Sequence, residues 1–310
     1  MNLTLRGTYA FSLIYESLLV HNYIVDYLTE EVLEHLDSHI QEFLLFTSVL
    51  DRFNSQLCDA VTGGTESQHI LDYLDKGKLF LVPLDENKKW FRYHHLFNDL
   101  LKYRLEQLFP QVIKILHSRA SEWFEKNDYT EDAINHSIAA GDDNKAADII
   151  EKASVVTLVR ADFLTLRSWS KKIPSEILFR RAYILICLAW INNISGEFEK
   201  AKPLLEKIEK VLEENERNYS EDEISDIKGH LNLIRSYHYS PYYTKDPDNI
   251  PKQRELILKA KEYLKKDNMT LQSTVELILG WSLMLSGDWE KAKEAFENAH
   301  IYGDVSNNFI

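Results

Sequence analysis

Apolar side chains fall three and four residues apart along most of this chain, the spacing that lines one face of an α-helix. Residues 23–33 show it plainly, with Tyr23, Tyr27, Leu28 and Val32 on one stripe among acidic neighbours. The same period runs from Gln111 onward and is clear through 182–215 and 251–265. Residues 1–22 carry a looser pattern (Phe11, Leu13, Ile14, Leu18, Leu19) without clear capping residues. Between 38 and 110 the texture changes. Ser38 predicts the start of a helix through Ile40, Phe43, Leu44 and Thr47. Asn54 predicts a second, through Leu57, Cys58 and Val61, broken at Gly63-Gly64. Ser67 predicts a third, carrying Ile70, Leu71 and Leu74 and stopped at Gly77. Ser and Asn suit those positions because their side-chain oxygens accept the first free backbone N–H groups. Residues 79–82 and 90–93 are strand-like, and the turn-rich stretch 83–88 between them predicts a β-hairpin. A further helix runs from about His95 to Leu108 and ends before Pro110. Three helices, a hairpin and a helix make a winged-helix-like domain over 38–110, with a helical tail, 1–37, ahead of it.

The helical remainder contains one phrase three times. Gly141-Asp142-Asp143-Asn144-Lys145-Ala146 returns as Gly196-Glu197-Phe198-Glu199-Lys200-Ala201 and as Gly287-Asp288-Trp289-Glu290-Lys291-Ala292. In the last two copies Trp190 matches Trp281, and Ser195 matches Ser286. Glycine ends a helix in the left-handed conformation at little cost, and alanine lets the next helix pack close. The unit is therefore a helix pair joined by a tight turn, and its repetition reads as a tetratricopeptide-like α-solenoid over 111–310. The two long copies, at Gly196 and Gly287, are 91 residues apart, room for two such units. A degenerate unit is thus expected between them, its second helix near 253–265 with Ala260 at the packing position. The acid-rich stretch near 213–227 reads as an exposed linker. The predicted fold class is all-α, with one small β-hairpin in the winged helix.

Composition narrows the function. The net charge is −13, which argues against a DNA-reading surface, since that needs a basic patch. Cys58 and Cys187 are far apart among apolar neighbours and read as buried thiols. No apolar run approaches the roughly 20 residues of a membrane span, and the first residues lack a signal-peptide pattern. A cytoplasmic protein without membrane contact is expected. No catalytic constellation stands out, so no enzymatic activity is expected. No metal site is expected either, because adjacent His94 and His95 on a helix do not face one ion. Trp190 and Trp281 are expected in the solenoid core. Tyr237, Tyr239, Tyr242 and Tyr243 form an aromatic set, read either as packing at an irregular repeat or as a ligand-stacking surface.

Two stretches resemble a known family. One is Phe43-Leu44-Leu45-Phe46-Thr47-Ser48-Val49-Leu50-Asp51-Arg52-Phe53-Asn54, followed by residues 57–63. The other is residues 79–85 with Trp90-Phe91-Arg92-Tyr93-His94-His95-Leu96-Phe97. Both are similar to the MalT-type regulators, the large ATP-binding members of the LuxR transcription-factor group. Leu116-His117, Ala120, Trp123-Phe124 and residues 139–142 continue the likeness. The resemblance implies an order of modules: a nucleotide-binding module with a P-loop, a winged helix, a helical-repeat sensor and a C-terminal helix-turn-helix. It makes residues 1–37 the tail of the nucleotide-binding module. It makes His94 the counterpart of a histidine that touches the ADP β-phosphate in related signal-transducing ATPases. ATP and ADP are thus implied for full-length relatives. The sequence holds no Gly-x-x-x-x-Gly-Lys-Ser/Thr, so no bound cofactor is expected in this chain.

The expectation is therefore the sensor and partner-binding part of a truncated or split regulator of this type. Its partners would be a small-molecule or peptide inducer, another protein, or a full-length homologue, with no direct DNA contact. The alternative is a stand-alone helical-repeat interaction scaffold with neither ATPase nor DNA-binding activity.

Overall fold

The computed structural model describes residues 33–305 apart from 78–79, 161 and 216–218. The helix expected over 23–33 and the looser pattern of 1–22 lie outside the described residues, save for a short 3-10 turn at Leu33–His35. The described chain is helical apart from one two-stranded hairpin. It divides into two compact units, Met1–Asp142 and Asp143–Ile310.

The first unit opens with α1 (Ser38–Thr47), α2 (Ser55–Thr62) and α3 (Ser67–Lys76), then β1 (Leu81–Pro83), β2 (Phe91–Tyr93) and α4 (His95–Leu108). Asn54 caps α2 as the sequence suggests, its Oδ1 accepting the Leu57 N–H at 2.8 Å. The other two starts differ. Ser38 and Ser67 are the first helical residues, not the caps, and α3 borrows the Asp59 carboxylate, which accepts the Ser67 N–H at 3.1 Å. The hairpin pairs Leu81 with Tyr93 and Pro83 with Phe91. Phe91 exchanges both of its backbone hydrogen bonds with Phe53 at 2.8 Å, so Pro83 can oppose it without a donor of its own. Asp85 holds the hairpin loop by accepting the Trp90 and Lys89 N–H groups, which keep its carboxyl below the usual range.

The core of this unit is aromatic. Phe53, Tyr93 and Phe97 are buried, with rings 4.6 and 5.9 Å apart in succession. The Tyr93 hydroxyl meets Thr47 Oγ1 at 2.7 Å, so its polar end is satisfied inside the core. Helices α5 (Ile113–Lys126) and α6 (Thr130–Ala139) pack in the same unit. Arg119 of α5 donates to the Val61 carbonyl at the end of α2. Arg52 lies over the rings of Trp90 and Tyr129, 5.1 Å from each, and donates to Asp132 at 2.8 Å. One guanidinium thus ties the loop before α2, the hairpin and α6 together.

The second unit contains α7 (Asp143–Val159), α8 (Phe163–Lys172), α9 (Ser175–Leu178), α10 (Ala182–Ile194), α11 (Phe198–Asn215), α12 (Glu221–His238), α13 (Pro241–Thr244), α14 (Ile250–Tyr263), α15 (Met269–Leu285) and α16 (Trp289–Val305). The repeated phrase makes the same turn each time. Gly141, Gly196 and Gly287 have φ of +79°, +73° and +81°. The following residue reaches back five positions: Asp142 to Ser137, Glu197 to Asn192 and Asp288 to Leu283, at 3.0, 2.7 and 3.0 Å. That is the Schellman closure, and it satisfies carbonyls that a helix end leaves open. The alanines of the phrase, Ala146, Ala201 and Ala292, are buried. The expected intermediate pair is α12 with α14, and Ala260 is fully buried within it.

Two expectations are corrected here. The linker near 213–227 is largely helix: α11 runs to Asn215 and α12 begins at Glu221. Ser220 and Glu223 form a reciprocal capping box, and the acids that looked like linker sit in the first turn, where the helix N-terminus favours negative charge. Trp281 is not core; it is 53% exposed, whereas Trp190 is buried. Trp190 has α12 against it, while among the described residues no later helix stands in that place for Trp281. Leu283, two residues before exposed Leu285 on the same helix, is buried. Among the described residues no helix is long and apolar enough to cross a membrane.

Candidate functional site

A cleft of the second unit has a volume of about 700 Å³. It is lined by α7, by the corner leading into α10 and by the start of α12. Helix α10 explains its construction. Arg181, at the N-cap, offers no side-chain acceptor to the first turn. The acceptors come from elsewhere in the fold: Tyr219 Oη takes the Ala182 N–H at 3.3 Å, and Glu151 Oε1 takes the Tyr183 N–H at 3.1 Å. Glu151 is thereby drawn inward, and burial raises its carboxyl above the usual range. Arg181 Nη1 lies 2.6 Å from Asp148 and 3.7 Å from Glu151, so it serves both carboxylates of α7.

Behind this layer runs a buried polar chain. Trp190 Nε1–H donates to His230 Nδ1 at 3.0 Å. An indole nitrogen only donates, so in the neutral imidazole the proton is on Nε2. Burial lowers the His230 pKa, which favours that neutral form. His230 Nε2 faces Asp226 Oδ2 at 3.7 Å, beyond hydrogen-bond range, and has no hydrogen-bond partner. The Tyr183 hydroxyl donates to the same Asp226 oxygen at 3.2 Å, and burial with Asp226 beside it pushes the phenol up. Asp226 lines the cleft, and the bonded pair His230 and Trp190 stands directly behind it.

The residues singled out from sequence lie elsewhere. His94 is exposed at the N-cap of α4; its ring is 4.4 Å from that of His95, and its N–H donates to the Phe80 carbonyl at 2.8 Å. Phe80 has a φ of +60°. The tyrosine set falls at the end of α12 and on α13. Tyr237 meets Trp190 edge-on with centroids 5.8 Å apart, so it packs at the repeat joint. Tyr239 is partly exposed beyond the end of α12. Tyr242 and Tyr243 are on α13, and their side chains lie outside the described residues. Asp226 had looked like linker, and Trp190, which bonds His230, is 40 residues away from it. The i, i+4 spacing of Asp226 and His230, with a core Trp in need of an acceptor, was the available signal. Cys58 and Cys187 are buried free thiols, the latter pushed up to about 12 by burial.

Residues 29–112 match the MalT winged helix domain family. This is a MalT-like region. The chain is 31% identical over 213 residues to the serine/threonine-protein kinase PknK of Mycobacterium tuberculosis, covering 69% of this chain and 19% of that protein. It is 29% identical over 202 residues to the HTH-type transcriptional regulator MalT of Vibrio parahaemolyticus, covering 65% of this chain and 22% of the regulator. The figures for MalT of Yersinia pestis are 29% over 203 residues, 66% and 22%. The matches thus span about a fifth of the length of these relatives. In fold, the MalT-like region is similar to the signal transduction ATPase with numerous domains (STAND) protein with a tetratricopeptide repeat sensor from Pyrococcus horikoshii. The TM-score is 0.55 at 15% identity, covering 91% of this chain and 46% of that one.

Proposed function

We propose that this MalT-like region is the input module of a signal-transducing regulator, in which the helical repeats capture an inducer or partner and the winged helix relays occupancy to a nucleotide-binding module. One observation carries the reading. Similar stretches occur in a protein named as a kinase and in proteins named as HTH-type regulators. Those names describe different outputs, so what the proteins share is on the input side. The second unit supplies a cleft of ligand size, and the tetratricopeptide sensor named for the similar Pyrococcus horikoshii structure fits the same role. His94, exposed ahead of α4, would meet a phosphate of ADP in a regulator with a nucleotide-binding module, as the family resemblance implies. This region contributes neither catalysis nor DNA contact of its own, and it works in the cytoplasm.

The test is a thermal-shift screen of the chain against sugars, nucleotides, amino acids and short peptides, repeated on Tyr183→Phe. The expected result is a ligand that raises the midpoint of the wild-type chain and loses most of that effect in the variant. ATP and ADP should give no heat on titration into the chain. A screen with no active compound, or a nucleotide as the best ligand, would overturn the reading.

A second reading is favoured by the exposed Trp281, Leu285, Trp289 and Ile301 on the last helix pair: a scaffold that binds another protein through an apolar face. It is distinguished by co-purification with a full-length homologue that a charge at Trp281 abolishes.

A further inference from the structure

We propose that the cleft of the second unit recognises its ligand through a primary ammonium group seated against Asp226 and Glu151. This rests on the input-module reading and gives that site a ligand class. The lining balances Asp148, Glu151, Glu223 and Asp226 against Lys145, Lys152, Arg180 and Arg181, and two of its carboxylates lie deep. The Asp226 side chain is 14% exposed and that of Glu151 16%. Of the lining cations, Arg181 is occupied by Asp148 and Glu151. Among the described residues no lysine or arginine stands within ion-pair distance of Asp226. Its neighbours are a phenol and an imidazole N–H, both neutral donors.

A nearly buried carboxylate without a cation is costly to hold, and an incoming ammonium compensates it directly. The second observation is an unsatisfied donor behind the carboxylate. His230 is 2% exposed, and its Nε2 is aimed at Asp226 without completing a hydrogen bond. A small shift of Asp226 on taking up a cation would bring that N–H into bonding range. Occupancy would then be felt at Trp190 in the joint between α10 and α12. The volume of about 700 Å³ lies within the roughly 300–1,000 Å³ usual for small-ligand sites. Exposed Arg180 on the same cleft can meet a carboxylate on the same ligand. The chemistry therefore fits a free amino acid, a diamine, or the amino terminus of a short peptide.

The experiment is calorimetric titration of the full chain with lysine, arginine, putrescine and tetra-alanine, the last with a free and an acetylated amino terminus. At least one amine should bind, acetylation should weaken a peptide ligand tenfold or more, and Asp226→Asn should weaken binding tenfold or more. Glu151→Gln, whose amide retains an oxygen for the Tyr183 N–H, should weaken it as well, and circular dichroism checks that each variant is folded. Preference for putrescine, for lysine or for the free peptide identifies the source of the amine. Equal binding of free and acetylated forms, unchanged binding by folded D226N, or no binding by any of the amines would overturn the inference. If a neutral sugar binds and Tyr183→Phe abolishes it, the input-module reading stands and the ammonium inference falls.

Discussion

At the residue scale, the buried imidazoles are the sensitive points. His117 and His136 bring their Nδ1 atoms within 2.8 Å. Two ring nitrogens that close need one proton between them, so the pair cannot hold two charges comfortably. Burial first, and His117 second, lower the His136 pKa from 6.5 to about 4. Between those values the unfolded chain binds more protons than the folded one, so stability is full above pH 6.5 and is lost on acidification toward pH 4. The loss should reach on the order of 2–3 kcal/mol at the acid end. It is best read as a melting midpoint falling between pH 6.5 and 5, before most carboxylates titrate. His136→Asn keeps a polar atom near the Nδ1 position without titrating, and it should flatten that slope; an unchanged slope would locate the effect elsewhere. None of this pairing was legible in the sequence. Leu116-His117 entered the argument only as part of a family likeness, and His136 not at all. Helix periodicity says which face a residue occupies, not which side chain from another helix meets it.

At the element scale, far more was legible. The glycine phrase predicted three turns of one kind, and all three have the same positive φ and the same five-residue closure. Asn54 and Ala260 also take the places their residue types suggest. The misreadings share a cause, which is that a residue's role depends on what stands beside it. Ser38 and Ser67 resemble caps, but neighbouring residues take that position. Glu221, Asp222 and Glu223 resemble a solvated linker, yet they complement a helix N-terminus. The glycines allow a sharp test. Added methyl groups at Gly196 and Gly287 would meet nothing within 4 Å, so alanine there should cost only the left-handed strain, about 1–2 kcal/mol each. Asparagine at those positions should cost less, since it tolerates that conformation. Gly280 is different: its backbone is not in the left-handed region, but a methyl would sit 2.6 Å from the Phe296 ring. Gly280→Ala should destabilise through overpacking of α15 on α16, by about 1–3 kcal/mol. Pairing the variant with Phe296→Leu should recover part of that loss, whereas it should not rescue Gly287→Ala. Denaturant unfolding of the four variants separates the two mechanisms, and rescue of both or neither would contradict the assignment.

At the scale of the whole molecule, two properties act against each other. The chain carries a net charge of −13, which keeps copies apart. Its last described helix pair exposes Trp281 at 53%, Trp289 at 66%, Ile301 at 55% and Val305 at 66%. Trp190, the repeat counterpart of Trp281, shows what such a surface does when a helix covers it: its ring is buried and its N–H is bonded. Trp281 keeps the apolar ring without that cover, so its face favours contact with another apolar surface. The balance should depend on salt. At low ionic strength charge repulsion reaches across the roughly 10 Å or more of the Debye length and holds copies apart; at high salt it is screened, while the apolar attraction persists. Light scattering should therefore report a mass that rises with concentration, and more steeply as sodium chloride increases. Trp281→Glu should abolish the rise while lowering the melting midpoint only slightly, because the side chain is more than half exposed and loses an edge-on contact with Phe296. Association that instead weakens with salt would mean that complementary charged patches hold the copies together, and the apolar end face would lose its assigned role.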